Sequence, residues 1–185
     1  DWADTNYGHL LFDSLPRINL VNKAGFKMTD FDYILCPGSQ KSKFSCYFKK
    51  LGIPIEKWMQ PILEELYEKD SRWIPWKIWR ELGLRLAEEK NGSESFLATC
   101  ARKNVKVFVP GPTDGAVGSQ LWLFWQDHRD FTLDLFAEEN ELSDIVHEAE
   151  STGALMVGGG ISKHHTIWWN QFREGLDYAV QVTTA

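Results

Sequence analysis

The chain has 185 residues, room for one ordinary domain or one and a half. Its 43% hydrophobic and 25% charged residues are a globular composition, and a net charge of −6 leaves no basic footprint for nucleic acid. No apolar run approaches the ~18 residues that a membrane span needs, and no secretory signal pattern opens the chain.

Cys36, Cys46 and Cys100 have no C-x-x-C spacing, which argues against a disulfide framework or zinc knuckle. A reducing, cytoplasmic setting is expected. Nine Trp and eleven Phe are many for this length; they are expected chiefly in the core, with a remainder lining a ligand site. The chain opens on Asp1 without Met and stops at Ala185 straight after a strand-like run, so a fragment is expected.

In chain order, the apolar spacing predicts a helix over about 10–24, a strand at Tyr33–Cys36 and a helix over 42–51. Gly52-Ile53-Pro54 breaks the chain. Then come helices over 55–70, 75–89 (with Pro75 in its first turn) and from a Ser93 cap to Lys103. Val105–Val109 reads as a strand, Gly118–His128 as a helix and Phe131–Leu135 as a strand. Next follow a helix over 138–151, a strand at Ala154–Val157, a helix over 166–173 and a strand at Tyr178–Val182. Trp122 and Trp125, three apart on one face, are expected in the core or at an interface. Strands alternating with helices predict an α/β fold: a Rossmann-like parallel sheet flanked by helices, truncated. Charge divides the chain near Trp58: residues 1–58 hold eight Lys/Arg against six Asp/Glu, and residues 59–185 twelve against twenty. Two regions are expected, 1–55 and 56–185.

Two loops leave the carboxyl ends of predicted strands, where open parallel sheets place ligands. One is Pro110-Gly111-Pro112-Thr113-Asp114-Gly115-Ala116-Val117-Gly118-Ser119-Gln120. The other is Gly158-Gly159-Gly160-Ile161-Ser162-Lys163-His164-His165. Glycines let backbone approach a ligand, and the following helix N-terminus offers N–H groups to an anion. The plainer alternative is two ordinary βα turns, with Asp114 as a turn residue and Ser119 as a cap. Neither loop is G-x-G-x-x-G. His164 and His165 diverge by about 100° on a helix and do not suit one ion, and H-E-x-x-H is absent, so no metal is expected. Asp144 and Glu148 read as a solvated face.

These blocks, with Glu141-Leu142-Ser143-Asp144-Ile145, Thr152-Gly153-Ala154-Leu155 and Gly175-Leu176-Asp177-Tyr178-Ala179-Val180, resemble deoxyhypusine synthase, particularly its archaeal form, over about residues 56–185. The resemblance implies NAD-dependent transfer of the 4-aminobutyl group of spermidine, or a related polyamine, to a lysine of the translation initiation factor 5A precursor. An enzyme lysine carries the group as an imine. Thr113, Asp114, Gly115, Gly159, Gly160, Thr184 and Ala185 would then hold NAD. Ser119, His164 and Trp168 would face the polyamine, with His164 catalytic. Ser119 stands where an acidic residue is common, and Trp168 where Asn is common, which puts substrate choice in doubt. The family's D-G-S and W-G-K segments, the latter with the catalytic lysine, do not occur in these 185 residues. Homotetramers with sites at subunit interfaces are implied.

Asn6-Tyr7-Gly8-His9, Phe12-Asp13, Leu15-Pro16-Arg17, Asp32-Tyr33, Ser42-Lys43-Phe44 and Leu51-Gly52-Ile53-Pro54 are similar to the start of a glycosyltransferase family 61 domain. A chimera, an artificial sequence or a frameshifted gene would each produce such a join. Sugar transfer, a non-catalytic assembly module and a chain without activity stay open beside the synthase reading.

Overall fold

The computed structural model describes residues 33–35 and 55–183, apart from Asn91. The helices expected over 10–24 and 42–51 lie outside the described residues, as do Thr184 and Ala185. The chain forms two compact units that divide within one helix, after Glu138.

In the first unit, β1 (Tyr33–Leu35) precedes α1 (Ile55–Lys69). Met59, Ile62, Leu63 and Leu66 recur at helical spacing on α1 and are buried. Trp58, next to this stripe, is only half-buried, and its indole donates to Glu89 at 2.9 Å. A two-residue strand that the sequence pattern does not show, β2 (Arg72–Trp73), leads into α2 (Pro75–Glu88). Pro75 stands at the start of α2, where its missing N–H costs nothing. The buried Glu138 carboxylate accepts from the Trp76 N–H at 2.6 Å, so a negative charge meets the positive end of the α2 dipole.

Helix α3 (Phe96–Arg102) is capped by Ser95, whose Oγ accepts from the Ala98 N–H at 3.0 Å. The expected cap at Ser93 is two residues early: the apolar stripe Leu97, Ala98, Cys100, Ala101 begins only after Ser95. Strand β3 (Lys106–Phe108) feeds α4 (Ala116–Asp127), and β4 (Thr132–Leu133) follows. The core of this unit joins α1, α2, α3, β3 and α4 through Leu63, Leu66, Ile78, Leu82, Leu97, Val107, Leu121 and Phe124. It is mainly aliphatic. Trp79 is the Trp buried in it, while Trp122 and Trp125 are 59% and 36% exposed. The core placement of that pair is thereby corrected: α4 buries Val117, Leu121 and Phe124, and this stripe turns Trp122 and Trp125 outward. Arg129 covers the Trp125 ring at 4.1 Å.

Helix α5 (Leu135–Glu148) starts at its cap Asp134, whose Oδ1 accepts from the Ala137 N–H at 3.0 Å. The other oxygen binds Arg72 at 2.6 Å. The cap bond first, and Arg72 with it, hold the Asp134 carboxyl below its ordinary range. Asp144 and Glu148 are exposed, a solvated face.

From residue 139 the second unit adds β5 (Gly153–Val157), α6 (Ile161–Asn170), a 3₁₀ turn at Gln171–Arg173 and β6 (Tyr178–Val182). Helix α6 begins at Ile161 rather than Thr166, so Lys163, His164 and His165 lie inside it.

The architecture is α/β, with short parallel strands flanked by helices. Among the described residues the strands form three parallel pairs, β1–β3, β2–β4 and β5–β6, in place of one continuous sheet. The β1–β3 pair, Tyr33 opposite Lys106 through Leu35 opposite Phe108, joins a strand from before residue 55 to one from after it. Among the described residues no helix is long and apolar enough to cross a membrane.

Candidate functional site

Both glycine loops take the strand–turn–helix form. In the first unit, the turn after β3 is closed by the Asp114 N–H donating to Gly111 O at 3.1 Å. Gly115, at φ 144°, occupies the N-cap of α4, a backbone setting that side chains resist. Gly118 lies one turn into α4, pressed against the loop. A Cβ there would stand 2.6 Å from Thr113 Cα and collide with Pro112 O. Thr113 and Asp114 are exposed at the rim. The Ser119 hydroxyl donates back to Gly115 O at 3.0 Å, so its proton is committed and its lone pairs suit an ammonium donor.

In the second unit, the turn after β5 is held by β6. The Gly158 N–H donates to Val182 O at 2.7 Å, and Gln181 Nε2 donates to Gly158 O at 3.1 Å. Gly160, at φ 94°, caps α6, and a Cβ added at Gly159 or Gly160 would meet nothing within 4 Å. The face above these two glycines is thus open to an incoming group. His164 is exposed, its ring 5.8 Å from that of Trp168, which is 51% exposed. His165 and Trp169 lie deeper on the adjacent face, and Trp169 Nε1 donates to Glu139 Oε2 at 2.7 Å.

Below the turn, Asp177 ties the starts of β5 and β6 together. Its Oδ2 accepts from the Thr152 N–H at 2.6 Å and the Thr152 hydroxyl at 3.2 Å, and pairs with Arg173 at 3.1 Å. The Thr152 N–H is the largest cause, with its hydroxyl and Arg173 beside it, of a carboxyl held below the ordinary aspartate range.

Each loop gathers its own set. Thr113, Asp114, Gly115 and Ser119 share the first turn and helix start; Gly159, Gly160, His164 and Trp168 share the second. Thr184 and Ala185 lie outside the described residues. Gly118 belongs to the glycine loop read from the sequence, whereas sequence reasoning passed over Gln181 and Glu139. Glu139 carried no signal, because its partners sit on another helix. Among the described residues no group of three or more His, Cys, Asp or Glu gathers to hold a metal ion.

The chain is similar to known proteins. The chain is 53% identical over 134 residues to a Thermoplasma acidophilum protein named probable deoxyhypusine synthase, and 50% identical to one of the same name from Picrophilus torridus. Each alignment covers 72% of this chain and 42% of the relative, so the chain spans less than half the length of these curated relatives. A crystal structure of a deoxyhypusine synthase candidate from Entamoeba histolytica superposes with TM-score 0.65. It covers 84% of this chain and 57% of that one at 23% identity, which speaks to the fold alone. The family pattern described as deoxyhypusine synthase matches residues 48–185, eight residues ahead of the expected boundary at 56. With well over half its length matched, this chain belongs to the deoxyhypusine synthase family.

Proposed function

We propose that this chain contributes to an NAD-dependent transferase site that moves the 4-aminobutyl group of spermidine, or of a related polyamine, to a lysine of the translation initiation factor 5A precursor. The observation that carries the reading is the open glycine turn, Gly158–Gly160, leading directly into the helix that bears Lys163, His164 and His165. The residues fit a dinucleotide. Each unit by itself has a glycine turn between a strand end and a helix N-terminus, a setting that suits a phosphate, and the face above Gly159 and Gly160 has room for an incoming group.

Thr113, Asp114, Gly115, Gly159 and Gly160, together with Thr184 and Ala185, would hold NAD, which when bound supplies a hydride acceptor. His164 would accept a proton from, or hydrogen-bond, a polyamine amine. Trp168 would lie along its methylenes, and the Ser119 oxygen would receive an ammonium hydrogen. The setting proposed is cytoplasmic. Homo-oligomerisation belongs to the same reading: Trp122 and Leu123 on α4 are exposed, as are Trp168 and Phe172 in the second unit, and light scattering would report the mass.

Titration calorimetry with NAD tests the site. Gly159→Val is compatible with the fold, since the added side chain starts in open space. The wild-type chain is expected to bind NAD and the valine variant to bind at least about tenfold more weakly, with an unchanged circular dichroism spectrum. Equal affinities remove this turn from the site, and a wild-type chain that takes up no NAD overturns the reading.

A further inference from the structure

Helix α6 carries two His–Trp pairs at a spacing of four, one residue apart: His164 with Trp168, and His165 with Trp169. The first pair is exposed. The nitrogens of the second converge on one carboxylate of α5. Trp169 Nε1 donates to Glu139 Oε2 at 2.7 Å, His165 Nε2 stands 3.4 Å from the same oxygen, and the two nitrogens are 3.2 Å apart. An indole N–H only donates and a carboxylate only accepts, so the Trp169 bond has one possible sense.

We propose that Glu139 is a positioning residue for His164, acting through His165 and Trp169. Two side chains four apart mark one face of α6, and holding both against a single oxygen sets the rotation of the helix about its axis. Successive residues are about 100° apart, so any rotation that breaks the Glu139 contacts swings His164 by the same angle. The Trp168 ring turns with it. Glu139 holds the rings of the second pair, and its effect on His164 passes through them. The proposal rests on the reading of His164 as the polyamine-facing group.

The test uses the full 185-residue chain with Glu139→Leu, Glu139→Gln and Trp169→Phe. Glutamine keeps an acceptor oxygen for the indole; leucine removes it; phenylalanine keeps a ring and removes the N–H. The readouts are the His164 ring resonances by NMR without ligand, and spermidine and NAD affinities by calorimetry. Glu139→Leu and Trp169→Phe are expected to shift the His164 resonances and weaken spermidine binding about tenfold, the effect of one lost charge-assisted hydrogen bond. NAD affinity should stay within about twofold of wild type, and Glu139→Gln should restore most of the spermidine affinity. His164 resonances that do not move in Trp169→Phe, or a folded glutamine variant as impaired as leucine, overturn the proposal. A wild-type chain that binds no spermidine overturns the functional reading instead, and the His164 resonances then decide the positioning claim by themselves.

Discussion

Asp177 shows how a single carboxylate can hold a site from below. Its Oδ2 gathers the Thr152 N–H, the Thr152 hydroxyl and Arg173, while Arg173 also donates to Ala149 O at 3.0 Å. The carboxyl is thereby held below the ordinary aspartate range. A depressed folded-state pKa means that the folded state binds the proton less readily than the unfolded one. The resulting stability is fully present above the unfolded value, near 3.8, and is lost as pH falls through the lower folded value. Asp177→Asn should therefore lower the thermal midpoint near pH 6, and the gap from wild type should close as pH drops into the strongly acid range. Thermal melts across pH check this; a gap that stays constant with pH would show that charge plays no part. Asp177 was legible only as part of a family-like block. Its role became visible once Thr152, 25 residues away, was seen to be its partner.

At the scale of elements, the α2–α3 crossing rests on Gly83. A Cβ there would stand 2.6 Å from Leu97 O and 2.8 Å from Ala101 Cβ. Two effects compete in Gly83→Ala. Helix propensity favours alanine by about 1 kcal/mol, and overpacking a close crossing costs about 1–3 kcal/mol. The nearer obstacle is backbone, which yields less than a side chain, so the packing cost should win. Urea denaturation is expected to show net destabilisation, and a more stable variant would mean that the helices separate freely. Periodicity predicted α2 well, because Ile78, Leu82 and Leu86 form one stripe. The need for Gly83 was not predicted, since a helical glycine looks the same in sequence whether it faces water or another backbone. The two-residue strand β2 was beyond periodicity for a related reason: two residues cannot display an alternation.

For the molecule as a whole, the instructive contact is β1 against β3. The family pattern begins at residue 48, after β1 has ended, yet β1 pairs with β3 over three residues. The region boundary proposed from charge and resemblance predicts that removing residues 1–47 leaves the remainder undisturbed. The strand pairing predicts the opposite, because an unpartnered β3 exposes a row of backbone donors and acceptors. We expect the deletion to lower the denaturation midpoint and to raise the apparent mass by association. Guanidinium melts and light scattering on both chains check it, and identical behaviour would support the boundary near residue 55.

By itself the sequence determined the α/β alternation, the parallel sense of the strands, both glycine loops and the family, because each is written in local spacing: apolar stripes of period 3.6, short apolar runs, and glycines placed between strand and helix. Tertiary structure decided what depends on who meets whom. It turned Trp122 and Trp125 outward although they share a face, since the neighbouring stripe of Val117, Leu121 and Phe124 had the better claim on the core. It placed Glu138 at the start of α2 and Glu139 beneath His165 and Trp169, adjacent carboxylates with unrelated duties. The reason is physical: a helix fixes which residues share a face, but only the surfaces packed against it choose which face is buried and which charge is paired.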